Sequence, residues 1–330
     1  MVRPNRGPNG AQRRPNDREW DLARSPSWTD GGHYAPGMAK VNTDSIGPVA
    51  VLGGGAMGRA IVGRCIDFQV FDRATTFVAE PDPAKFSHFH DCGIVPLPTA
   101  IEAIIAADAA ADGAADGRLA VWLLAVKPQA FAGLAAELRS SGVSAEGRTV
   151  LSIMAGVTAR GVADALGCGT LGVVRTMPNL GAVTGAGVTA IAHDSGASEG
   201  AMEVAERVVG CLGPCVERVP EALLDAFTAV SGSGPAYVFY LAEAMIASAI
   251  DLGFPADLAD RVVRATIAGA GSMLSQSESS PRQLRASVTS KGGTTQAATE
   301  SLDGAGVKEA MGRAIAAGAA RAAELSGLSR

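Results

Sequence analysis

Between about residues 46 and 219, short apolar runs alternate with stretches of mixed polarity. The runs 49–52, 76–79, 120–125, 149–153, 172–175 and 188–192 have the length and composition of strands buried on both faces. The intervening stretches 57–65, 83–92, 99–107, 130–138 and 159–166 repeat their apolar positions at helical spacing. Such alternation predicts a mostly parallel sheet with helices on both faces. After about 220 the pattern turns wholly helical, over 235–252, 255–275, 281–288, 294–302 and 307–325. Pro255 and Pro281 stand at first helical turns, and Gly253, Gly304 and Gly306 fall where helices should stop. The stretch 235–252 is apolar nearly all round, apart from Glu243 and Asp251, so it is expected to be buried on most faces. About a hundred residues of helical domain bury several such helices poorly, which predicts association of subunits.

Residues 1–45 show no periodicity and are rich in Pro, Gly, Arg, Asn and Asp. They are expected to be a disordered tail, with Met38 as a candidate true start. No signal-peptide core and no membrane span is evident, so a cytoplasmic protein is expected.

The most informative motif joins the first strand to the first helix. Val49-Ala50-Val51-Leu52 runs into Gly53-Gly54-Gly55-Ala56-Met57-Gly58. Gly-x-Gly-x-x-Gly between a strand and a helix is a dinucleotide-binding turn. Gly53 permits the tight turn, Gly55 a close approach of backbone to pyrophosphate, and Gly58 close packing of helix on strand. The expected fold is therefore an α/β Rossmann-like doubly wound domain over 46–219, followed by an all-α helical dimerisation domain over 220–330. Glu80, just past the second strand, either accepts hydrogen bonds from an adenosine ribose or is a solvated loop acid. In the first role it would repel a 2′-phosphate and favour NAD. Ala125-Val126-Lys127-Pro128, Ala155-Gly156 and Met177-Pro178-Asn179 end later strands at the carboxyl edge, where ligands of such sheets bind. Lys127 either meets a ribose or phosphate or is a solvated loop lysine. Ala155 and Gly156 are small enough to admit a flat nicotinamide ring.

A second dense motif, Ser290-Lys291-Gly292-Gly293-Thr294-Thr295, opens a helix with small hydroxyl-rich residues. It reads as a carboxylate site on free helical amides, or as a plain capped helix start. Composition narrows the partners. Charged residues make up 18% of the chain and the net charge is −5, which argues against nucleic acid and anionic membranes. The five cysteines are scattered without zinc-ligand spacing and read as buried small residues in a reducing compartment. None of His33, His88, His90 and His193 sits in a motif suited to acid–base work, and no metal cluster is visible. Hydride transfer needing little protein acid or base is the chemistry left.

Together these motifs resemble pyrroline-5-carboxylate reductase over nearly everything after residue 46. The motifs include Ala155-Gly156-Val157-Thr158 and Arg175-Thr176-Met177-Pro178-Asn179, and the most specific are Ser231-Gly232-Ser233-Gly234-Pro235-Ala236-Tyr237 and the 290–295 run. The resemblance implies hydride transfer from NADPH or NADH to the C=N bond of 1-pyrroline-5-carboxylate, giving L-proline. It places the substrate carboxylate on Ser290, Gly292, Gly293 and Thr294, the Thr295 hydroxyl at the imine nitrogen, and Glu278 near the substrate. It also implies a homodimer with intertwined helices, often assembled further, and a site shared between subunits. Three positions depart from the family pattern: Lys291 replaces a usual Pro, Ala56 a frequent Asn, and Glu80 a small or polar residue. The family usually prefers NADP whereas Glu80 leans toward NAD, so both cofactors are retained. Two rival readings fit less well. A 3-hydroxyacid dehydrogenase of the 6-phosphogluconate type needs a catalytic lysine inside a helix, where only Lys308, or Lys291 in a loop, is on offer. A non-catalytic dinucleotide-binding regulator would have no use for the 290–295 motif.

Overall fold

Buried side chains on both faces of most strands organise the first part of the molecule. The computed structural model describes residues 45–112 and 119–327. The expectations for the N-terminal tail and for Met38 lie outside those residues. Seven strands form one sheet: β1 (Val49–Leu52), β2 (Thr76–Ala79), β3 (Val121–Leu124), β4 (Val150–Ser152), β5 (Val173–Pro178), β6 (Val188–Ala192) and β7 (Cys215–Val219). Their order is β2-β1-β3-β4-β5-β6-β7, parallel from β2 through β5. Strand β6 runs antiparallel to β5, and β7 follows β6 in parallel.

Alternation along the strands divides the core into two layers. Val49, Val51, Val121 and Leu123 face helices α1 (Ala56–Asp67) and α5 (Glu199–Gly210). Ala50, Leu52, Trp122 and Leu124 face α2 (Ala100–Asp112), α3 (Pro128–Ser140) and α4 (Ala159–Leu166). The sheet is thus doubly wound, as the alternating pattern predicts. Helix α5 and strand β7 extend the sequence expectation. β7 is an edge strand whose Glu217 and Arg218 are exposed, so its apolar signal is diluted by the charges that edges carry. The stretch Pro83–Cys92 is helical but winds as a 3₁₀ helix, opened by the Asp82 side chain accepting from the Ala84 N–H at 3.1 Å.

The chain leaves the sheet at Val219 and winds almost without a break into α7. A 3₁₀ turn (Glu221–Leu223) leads to α6 (Leu224–Phe227), a π turn (Thr228–Gly232) and α7 (Gly234–Asp251). The π turn shifts the backbone bonding by one residue. Ser233 N–H donates to the Thr228 carbonyl at 2.8 Å, five residues back, so the Ala229 carbonyl is passed over. Tyr237 Oη donates to that carbonyl at 2.9 Å. Pro235 has no N–H to give the Ser231 carbonyl, four residues back, and Asn179 Nδ2 donates there instead at 3.2 Å. Both motif segments, 175–179 and 231–237, therefore join the sheet to the helices.

Helices α8 (Ala256–Gln276), α9 (Pro281–Ser287), α10 (Thr294–Gly304) and α11 (Val307–Gly327) follow. Helix α11 passes close to the π turn, where a Cβ on Gly318 would lie 3.4 Å from the Ala229 side chain. Its end reaches the sheet, with Leu325 and Ser326 against Gly156. Ser326 Oγ donates to Asp225 Oδ2 at 2.7 Å. The same carboxylate group, with Glu221, holds Arg175, a β5 side chain only 2% exposed. The guanidinium lies 3.4 Å from Glu221 Oε1 and 3.3 Å from Asp225 Oδ1. Glu221 Oε1 also accepts from the Ala159 N–H at 2.8 Å, at the start of α4.

The expected burial of 235–252 is reversed within one chain: no residue of α7 is buried. Tyr240 is 75% exposed, and Phe239 and Leu241 about half. Helix α8 buries only Ala259 and Val263. One chain supplies no second layer for these faces, so the apolar character of α7 is a demand for another subunit.

Sedimentation at micromolar concentration should show an assembled species, and monomer alone would contradict this account of the exposed helices. Arg175→Met should cost about 3 kcal/mol in urea unfolding at fixed protomer concentration, because two partly buried carboxylates lose their counter-charge. A loss below about 1 kcal/mol would show that the cluster does not hold the two parts together.

Candidate active site

The turn between β1 and α1 is built by steric exclusion. Gly53 has φ +121°, and a Cβ there would lie 2.6 Å from the Ala125 carbonyl oxygen. A Cβ on Gly58 would run into the carbonyl oxygen of Gly53. These two glycines, backed by Ala125, let α1 start directly on the strand end. Leu52 is fully buried and contributes only backbone here, and Met57 packs on the core. Gly55 is different: a Cβ there would meet nothing within 4 Å. Gly55 and Ala56 are exposed, and no side chain caps the helix. Open space in front of uncapped first-turn amides fits the pyrophosphate of a dinucleotide.

Glu80 is not a solvated loop acid, since its side chain is only 5% exposed. A Cβ on Gly54 would lie 2.9 Å from Glu80 Oε2, so the carboxylate faces the glycine turn. Its other oxygen, Oε1, accepts from the Asp82 N–H at 3.0 Å and from Lys85 Nζ at 3.4 Å. The Glu80 carboxylate in turn raises the Lys85 ammonium pKa above its usual range. Lys85 escaped the sequence reading, although it lies on the first exposed turn after Glu80.

The other strand ends divide by exposure. Lys127 is exposed at the start of α3, with Pro128 in the first helical position, and Val126 is half-buried beside it. Ala155 is half-buried and Gly156 is buried, with Leu325 and Ser326 lying close to where a Cβ on Gly156 would be. Met177 and Pro178 are buried in β5. Asn179 closes the turn after it, accepting from the N–H groups of Gly181 and Val188 at 3.1 Å each and donating to Ser231.

The 290–295 segment sits at the start of α10. Gly292 has φ +72°, and Gly293 precedes the helix with no side-chain cap. A Cβ on Gly293 would collide with Ser290 Oγ. Ser290, Lys291 and Thr294 are exposed, Thr295 is half-buried and Glu278 is exposed. The hydrogen bonds of this segment stay within the loop and α10, and α10 packs chiefly against α11. The dinucleotide turn and the 290–295 segment are thus not joined by hydrogen bonds in one chain.

Among the described residues neither thiols nor a metal cluster offers a competing chemistry. All five cysteines are free, Cys65 and Cys211 are buried, and burial pushes the thiols of Cys65, Cys92, Cys168 and Cys215 above their usual range. Such thiols are poor nucleophiles. Among the described residues no cluster of His, Cys, Asp and Glu is suited to a metal ion. No described helix is long and apolar enough to cross a membrane.

Comparison with known proteins bears on both halves. Residues 48–156 match the family described as NADP oxidoreductase coenzyme F420-dependent, and residues 221–325 match pyrroline-5-carboxylate reductase dimerisation. A dimerisation domain accounts for the unburied faces of α7 and α8, and the protein is a homo-oligomer. A pyrroline-5-carboxylate reductase of Synechocystis is 33% identical over 278 residues, covering 84% of this chain and 97% of the relative. One from Mycobacterium tuberculosis is 32% identical, covering 84% and 96%. The solved pyrroline-5-carboxylate reductase of Coxiella burnetii superposes with a TM-score of 0.71 at 30% identity, covering 85% of this chain and 98% of that one. Matched along almost the full length of such relatives, with the glycine turn and the helical half in the same order, the chain belongs to the pyrroline-5-carboxylate reductase family.

Proposed function

We propose that this protein reduces 1-pyrroline-5-carboxylate to L-proline, the last step of proline biosynthesis, with NADPH or NADH. The observation that carries the reading is the pairing, on one family-length chain, of an open uncapped turn at Gly55 with the uncapped helix start at Thr294. The first suits a pyrophosphate and the second a carboxylate.

The glycine turn and the edge formed by Ala125, Lys127 and Ala155 would hold the dinucleotide, whose reduced nicotinamide would supply the hydride for the imine carbon. The protein holds and orients the acceptor. Ser290, Gly292, Gly293 and Thr294 form the start of α10 that takes the ring carboxylate, where the helix dipole favours negative charge. The reading assigns the Thr295 hydroxyl to the imine nitrogen and Glu278 to the neighbourhood of the substrate. An imine protonates readily, so a placed hydroxyl suffices where a stronger acid would otherwise be needed. This accounts for the absence of a histidine from either motif. Since the glycine turn and the 290–295 segment are not hydrogen-bonded to each other in one chain, we assign the complete site to a dimer with shared helices, which larger assemblies would repeat. Free cysteines fit a cytoplasmic location.

Thr295→Ala should lower kcat roughly 100-fold with pyrroline-5-carboxylate while NADPH affinity, followed by nicotinamide fluorescence, stays within about twofold. Unchanged turnover would remove Thr295 from the mechanism. Glu80→Ser should raise the NADPH-to-NADH ratio of kcat/KM by about tenfold, because a carboxylate facing the turn opposes a 2′-phosphate. A constant ratio in steady-state assays with both cofactors would confine Glu80 to its contacts with Lys85 and Asp82.

A further inference from the structure

Both glycine amides of the 290–295 segment are already engaged within the chain. Gly293 N–H donates to the Ser290 carbonyl at 3.0 Å. Gly292 N–H donates to Gln296 Oε1 at 2.7 Å. The other end of the same amide is fixed too, with Gln296 Nε2 donating to Glu300 Oε1 at 2.7 Å. An ionised carboxylate only accepts and a backbone N–H only donates, so the residue between them must do both. A glutamine in the orientation found here meets that demand. Glu300 therefore sets which way the Gln296 amide points, and Gln296 secures the left-handed bend at Gly292, φ +72°.

We propose that Gln296 is a positioning residue for the substrate carboxylate, oriented by Glu300. This rests on the reading of 290–295 as the carboxylate site. Gln296 holds the Gly292 amide, and so fixes the approach of the loop to α10. The carboxylate is then carried by the Ser290 hydroxyl and the N–H groups of Thr294 and Thr295, which no side chain caps. Gly292 and Gly293 serve the bend and the close passage of Ser290. Because Thr295 is the residue before Gln296, a loosened bend shifts the carboxylate before it shifts the hydroxyl. Substrate binding should suffer more than turnover.

Gln296→Met keeps the length and removes both hydrogen bonds. It should raise KM for pyrroline-5-carboxylate roughly fivefold, with kcat and the KM for NADPH within about twofold. Calorimetry with L-proline should show the same weakening. Gln296→Glu alone sets two carboxylates together and should weaken binding at least as much. Adding Glu300→Gln lets residue 300 donate to the new carboxylate, which still accepts from Gly292 N–H, and should restore KM. An unaltered KM in Gln296→Met, a lowered Tm with no change in KM, or failure of the double variant to rescue would each overturn the proposal. Wild-type protein that does not turn over pyrroline-5-carboxylate would instead overturn the functional reading beneath it.

Discussion

A single buried charge ties the sheet to the helices. Arg175 lies on β5, 2% exposed, and a guanidinium in that position must be paired. Its partners come from the chain that follows the sheet, Glu221 and Asp225. Each carboxylate also takes a neutral donor, the Ala159 N–H for one and Ser326 Oγ for the other. One cluster thus gathers the middle of β5, the start of α4, the approach to α7 and the end of α11. A buried ion pair adds little net stability over a well-packed apolar core. Its value here is geometric, because a displaced α6 or α11 would strand a charge.

The π turn adds a second, neutral constraint beside the first. One extra residue in the winding leaves the Ala229 carbonyl without its helical partner, and the following proline leaves the Ser231 carbonyl without one. Tyr237 and Asn179 satisfy the two carbonyls, each from a different part of the chain. Asn179, which looked like a cofactor-edge residue, spends its side chain on this junction and on closing its own turn. Gly156 likewise accommodates α11. Strand ends at the carboxyl edge of the sheet are thus spent in part on the helical half.

Beyond the junction, the helices lack a core of their own within one chain. Helix α7 is among the most apolar segments of the sequence and buries no residue. Its faces are completed in the homo-oligomer, and the start of α10 belongs to the same helical half. Association supplies the burial that α7 and α8 lack within one chain.

Periodicity and glycine spacing by themselves determined the doubly wound sheet, the switch to helices near 220 and the dinucleotide turn at 53–58. The strands, helices and turn behind these features are each encoded by local spacing, and their alternation limits how they can pack. Strand β7 was hidden because an edge strand carries charge. The burial of Glu80 needed the fold, since a carboxylate after a strand looks the same in sequence whether it faces water or Gly54. The Arg175 cluster was likewise invisible, because its partners lie 46 and 50 residues away along the chain. The 290–295 motif was legible as a helix start with spare amides. Only the tertiary structure decided which amides are spent, for Gln296 reads as an ordinary helical glutamine until its two hydrogen bonds are seen.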